Sequence, residues 1–188
     1  MKGQPANPFC VFCRFVTPAI LYYCLFLLFE YVFSKSRFAE AAGPLSSCLI
    51  LPLLVSVYCR RSVDSHKLLS ISAFAGYAAV FWILMKHSSV SHFVGFCIAG
   101  PISEEIVFRG WAYSRGKELL GSLWGAVLVS LLFAVGHDTF PQIIFAFFAG
   151  CMLSYIREKG GSLWMPILLH IGWNTTQVML FEQTVFKL

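Results

Sequence analysis

The chain has 188 residues, of which 58% are hydrophobic and only 12% charged, with 19 phenylalanines and a net charge of +5. A soluble domain carries about 25% charged residues, so this composition excludes a water-soluble globule, and it excludes a disordered chain, which needs low hydrophobicity and high charge. The 14 basic residues are set against 9 acidic ones and form no basic tract, which excludes a nucleic-acid binder. What remains is an all-α polytopic transmembrane helical bundle, expected as one membrane domain over 1–188.

A crossing helix needs about 20 apolar residues, and seven segments approach that length. The first is Phe15 to Phe33. A signal peptide competes there, because Ala39-Glu40-Ala41 resembles a cleavage site. The run exceeds the ~7–15 residues of a signal core, and basic residues intervene, so a retained span is the reading. The second, Pro44 to Tyr58, contains Pro52 and is expected to kink. The third is Leu68 to Met85. The fourth runs from Val90 through Pro101 to Tyr113, and the fifth from Leu119 to His137. The sixth, Gln142 to Ile156, follows Pro141, and the seventh is Leu163 to Phe181. Gly121 and Gly125 form a small-xxx-small pair suited to close helix approach. Residues 15–89 read as scaffold, and 90–181 carry the chemistry.

With seven spans, one face carries nine basic residues: Lys2, Arg14, Arg60, Arg61, Lys67, Arg115, Lys117, Arg157 and Lys159. The other carries four: Lys35, Arg37, Lys86 and Lys187. That asymmetry places the N-terminus in the cytoplasm. The seven cysteines sit in or beside apolar runs and read as small hydrophobes. Cys10 and Cys13 form a C-x-x-C pair with no second pair to complete a zinc set.

Ionisable groups inside a span are costly and read as functional by default. Three clusters stand out. In the first, Glu104 and Glu105 precede Arg109. Glu105 and Arg109 stand at i, i+4 in the favourable order for an ion pair, while Glu104 points about 100° away, toward a cavity. The second ends the fifth span at Phe133-Ala134-Val135-Gly136-His137. The third places His170 and Asn174 on one helix face. Each has a bland alternative: a structural ion network, an interfacial histidine, interhelical hydrogen bonding. Together they supply a carboxylate, two imidazoles and a carboxamide, the parts needed to activate water and cleave an amide. No Ser or Cys occupies a nucleophile-elbow setting. His66, His87 and His92 lie near loops and read as ordinary solvated or interfacial residues.

These motifs, E-E-x-x-x-R at Glu104 to Arg109, F-x-x-x-H at Phe133 to His137 and H-x-x-x-N at His170 to Asn174, resemble the CAAX-protease and bacteriocin-processing (CPBP, or Abi) intramembrane peptidases. The resemblance covers residues 90–181 and includes the string SEEIVFRG. It implies a multi-pass endopeptidase of the bacterial inner membrane. Its substrate would be a membrane-anchored protein or peptide, cut near its C-terminus and lipid-modified or bearing a sorting tail. By motif, Glu104 and His137 would activate water, His170 and Asn174 would stabilise the oxyanion, and Glu105 and Arg109 would support them. No cofactor is expected. Zinc held by Glu104, His137 and His170 is the alternative, although H-E-x-x-H is absent. A non-catalytic family member acting in immunity or as a membrane partner is the other.

Overall fold

The computed structural model describes residues 8–35, 46, 47, 50, 90 and 93–181. Every element among them is helical. α1 spans Pro8–Ser34. A π-helical segment, Val94–Ala99, leads into α2, Gly100–Glu105, and a second, Ile106–Ala112, leads into α3, Tyr113–Ala134. α4 is Phe140–Gly160 and α5 is Trp164–Phe181. Three runs are long and apolar enough to cross a membrane: Phe15–Ser34, Val94–Ala134 and Phe140–Gly160. α5 matches the expected seventh segment, but His170, Asn174, Thr175, Thr176 and Gln177 leave it less apolar than these three. The expected second and third spans, 44–58 and 68–85, lie outside the described residues, apart from Ser46, Ser47 and Ile50, which are helical and buried.

The expected fourth and fifth spans fall in one helical run of 41 residues. A straight α-helix of that length would reach about 60 Å, twice the roughly 30 Å hydrocarbon core. It does not run straight. Gly121 leaves the helical region at φ 79°, ψ 172°, a conformation open to glycine because it has no Cβ. Beyond it the chain doubles back. A Cβ on Gly125 would lie 2.7 Å from the Lys117 nitrogen and 2.8 Å from the Gly116 carbonyl carbon. Gly125 is thus the close-approach glycine, and it packs on Gly116. Gly121, expected to share that packing face, is the turn itself.

α4 is longer at both ends than the expected Gln142 to Ile156. Pro141 sits in its first turn, where a missing N–H is harmless. Gln142 Oε1 accepts the Thr139 N–H at 3.1 Å and the Thr139 hydroxyl at 2.9 Å, one half of a capping box. At the other end Gly161, at φ 64°, donates its N–H to the Arg157 carbonyl at 3.1 Å, an αL cap. In α1, Phe15, Ala19 and Tyr22 form a buried stripe at helical spacing. Phe9, Leu27, Leu28 and Tyr31 are exposed, as are Leu123, Trp124, Phe148 and Trp164. Apolar surface on this scale suits lipid rather than water. The chain is an integral membrane protein.

The described residues fall into two compact units, one drawn from Met1–Tyr23 and Val107–Pro166, the other from Cys24–Ile106 and Ile167–Leu188. In the first, α3 packs against α4. Its charged end joins Lys117 to Glu158 at 2.6 Å and the Tyr113 hydroxyl to Glu158 at 3.0 Å. Lys117 and the end of α4 therefore share one end of this unit. In the second, α5 carries His170 and Val178 into the interior together with Cys97, Ala99 and Glu105.

Candidate active site

Four of the residues singled out by sequence belong to the second unit, and the fold brings them together. Glu105 is fully buried, with 0% of its surface exposed. His170 Nδ1 lies 3.0 Å from Glu105 Oε1. On the other side of the ring, His170 Nε2 lies 3.7 Å from Glu104 Oε2, and Glu104 is partly exposed. One imidazole thus stands between two adjacent carboxylates. A carboxylate can only accept, so the bond to Glu105 puts the hydrogen on Nδ1 and turns Nε2 toward Glu104. This is the arrangement by which a buried acid orients a working histidine. One turn further along α5, Asn174 Nδ2 donates to the Phe96 main-chain carbonyl at 2.9 Å. The expectation that Glu105 serves Arg109 omitted the His170 bond, which no spacing along one helix could reveal.

The other two residues belong to the first unit. Arg109 is fully buried, its guanidinium carbon 4.6 Å from the centre of the Phe133 ring, a cation–π contact. Room for it comes from small residues. A Cβ on Gly150 would lie 3.0 Å from Arg109 Nη2 and 3.0 Å from Ser130 Oγ. The far end of the Phe133 system meets His137, with ring centroids 5.1 Å apart at 73°, an edge-to-face pair. His137 Nδ1 is buried without a hydrogen-bond partner among the described residues. Its backbone is fixed all the same: the His137 N–H donates to the Ala134 carbonyl at 3.1 Å. The Tyr23 hydroxyl lies 3.1 Å from the Leu132 carbonyl and 3.3 Å from that of Phe133. A Cβ on Gly136 would collide with the Tyr23 ring. Phe133 in F-x-x-x-H is therefore the plate on which both Arg109 and His137 rest.

Two ligands to one tetrahedral zinc, each about 2.0–2.1 Å from it, stand about 3.3 Å apart. The 3.7 Å between His170 Nε2 and Glu104 Oε2 is near that value. The Glu105 bond to Nδ1 is also the carboxylate–histidine support that metal-bound imidazoles receive. The pair fits as two ligands, but no group of three His, Cys, Asp or Glu side chains gathers into a metal set among the described residues. The five described cysteines, Cys10, Cys13, Cys24, Cys97 and Cys151, are free thiols.

Apolar helices carrying carboxylates and an imidazole in their interior define a helical membrane protein with acid–base side chains inside its spans. Comparison narrows the class. Residues 86–176, a segment that contains all six motif residues, match the model of the family described as "Type II CAAX prenyl endopeptidase Rce1-like". The chain is 33% identical over 89 residues to "Uncharacterized 24.3 kDa protein" of Escherichia coli, a stretch covering 45% of this chain and 41% of the relative. It is 25% identical over 83 residues to "Putative membrane peptidase YdiL" of Bacillus subtilis (strain 168), covering 44% of this chain and 34% of the relative. The matched stretch thus spans less than half the length of either relative. No solved structure matches the chain.

Proposed function

We propose that the protein is an intramembrane endopeptidase, resident in a bacterial inner membrane with its N-terminus cytoplasmic. It hydrolyses a peptide bond near the C-terminus of a membrane-associated or lipid-modified substrate. The observation that carries this reading is the imidazole of His170 held between Glu104 and Glu105. Glu104, the more accessible carboxylate, takes a proton from water as its oxygen attacks the scissile carbonyl. The tetrahedral oxyanion is met by the Asn174 amide and by His170 Nε2, which donates when the ring carries both hydrogens. As the C–N bond breaks, Glu104 returns its proton to the leaving amine. His137, whose Nδ1 lacks a protein partner among the described residues, assists at the water in the role its motif implies. Arg109 and Glu105 support. General acid–base catalysis of this kind contributes about 10²–10⁴-fold. Replacing Glu104 by Gln should therefore remove cleavage of a C-terminal tail substrate by purified protein, with thermal unfolding unchanged. A Glu104→Gln enzyme of full activity rejects the assignment.

Zinc held by Glu104, His137 and His170 is the second reading, favoured by the near-fit of the first and last of these. Cleavage should survive EDTA and phenanthroline. Stoichiometric zinc by elemental analysis, with activity lost on its removal and restored on its return, would replace the glutamate-activated water by a metal-bound one.

A further inference from the structure

Asn174 donates to a main-chain carbonyl inside a helical segment, where carbonyls ordinarily find their donors along the same helix. The register explains the exception. The Gly100 N–H bonds to the Gly95 carbonyl, five residues back. Residue 101 is the next main-chain position after Gly100, where this i→i+5 pattern gives way to the i→i+4 pattern of α2. That residue is Pro101, which has no N–H. In lipid, a backbone carbonyl must be satisfied from within the protein. Asn174 Nδ2 meets it at 2.9 Å.

We infer that Pro101 is a positioning residue for the site. By withholding an N–H it assigns the Phe96 carbonyl to Asn174, and this bond sets the register of α5 against the Val94–Glu105 segment. His170 stands four residues before Asn174 on the same face of α5, so the latch delivers its ring between Glu104 and Glu105. An amide nitrogen carries two hydrogens. One is engaged by Phe96. The second has no partner among the described residues, and the latch fixes its direction, as a preorganised oxyanion donor requires. The latch deepens the proposed peptidase reading, and only its activity readout rests on that reading.

Pro101→Ala restores the N–H at the change of register, and the latch requires that this donor compete for the Phe96 carbonyl. It also replaces a helix breaker by a helix former, so the variant should fold, which its thermal unfolding checks. The expected result is a fall in kcat of about ten- to a hundredfold, the scale of a small misplacement, with KM little changed. Asn174→Ala should cost less in the Pro101→Ala background than in the native one. Additive losses, or a Pro101→Ala enzyme of native kcat, overturn the latch. The second readout needs no activity. With histidine labelled by ¹⁵N and the His170 ring signals assigned by their loss in His170→Gln, Pro101→Ala and Asn174→Asp should move those signals in the same direction. Asn174→Asp keeps the side-chain shape and removes the donor. Ring signals that stay in place in both variants reject the latch. Signals that move in a protein without peptidase activity keep the latch and reject the peptidase.

Discussion

Two carboxylates, Glu158 at the charged end of α4 and Glu105 at the end of α2, do similar local work in opposite settings. Glu158 accepts from Lys117 at 2.6 Å and from Tyr113 at 3.0 Å, with 30% of its side chain exposed. Glu105 meets His170 at 3.0 Å with no exposure. When a partner of Glu158 is lost, water takes its place. Glu105 has no exposed surface through which solvent could replace a lost His170, so stability and chemistry fail together. Short distances are common to both regions. Burial is what separates an ornament of the surface from a working site.

This contrast can be broken by substitution, starting with the largest effect. Glu105→Gln should lower both peptidase activity and stability. Weakening a buried hydrogen bond and leaving its donor poorly matched costs about 1–3 kcal/mol, which unfolding in detergent would register, and native stability would show that Glu105 is not integral to the interior. Gly125→Ala should come next. Its Cβ would strike the backbone at Lys117 and Gly116, so a loss of about 3 kcal/mol, the upper end for overpacking, is expected in the same unfolding measurement. Gly150→Ala presses on Arg109 and Ser130 side chains, which can shift, and should cost about 1–2 kcal/mol. The smallest effect belongs to the exposed Arg115–Glu118 pair, 2.8 Å apart with side chains 38% and 54% exposed. Arg115→Ala should change stability by less than about 0.5 kcal/mol and leave kcat untouched. A larger change would mean that the charged end of this unit is coupled to the chemistry.

The residues of the candidate site were legible in the sequence because polar and charged groups in apolar runs are expensive, so Glu104, Glu105, His170 and Asn174 stood out, and the structure gathers them in one unit. The Glu105–His170 bond was hidden, because it joins residues 65 positions apart. Among the described residues, most helix locations were readable from apolar runs, but their ends were not. Arg157 and Lys159 look like the close of a span on a hydropathy basis, whereas the αL cap at Gly161 lets α4 continue to Gly160. Gly121 and Gly125 fit a packing pair equally well on paper. Only the positive φ at Gly121 shows that one is a turn and that the other's partner is Gly116. The π-helical segments had no signature at all, since i→i+5 pairing depends on backbone register rather than on residue type.

Those two segments bear on how relatives should be aligned. A π-helical turn accommodates one residue more than an α-helical turn, so Val94–Ala99 and Ile106–Ala112 are structural insertions bracketing the six residues Gly100–Glu105. Deleting a single residue within Val94–Ala99 would let that stretch relax to α-helix and leave Glu104 and Glu105 facing much as before, whereas the same deletion in a regular α-helix would swing them by about 100°. A one-residue gap at this place in a related sequence is therefore absorbed by the backbone, while a gap in the regular turns of the same run is a change of aim.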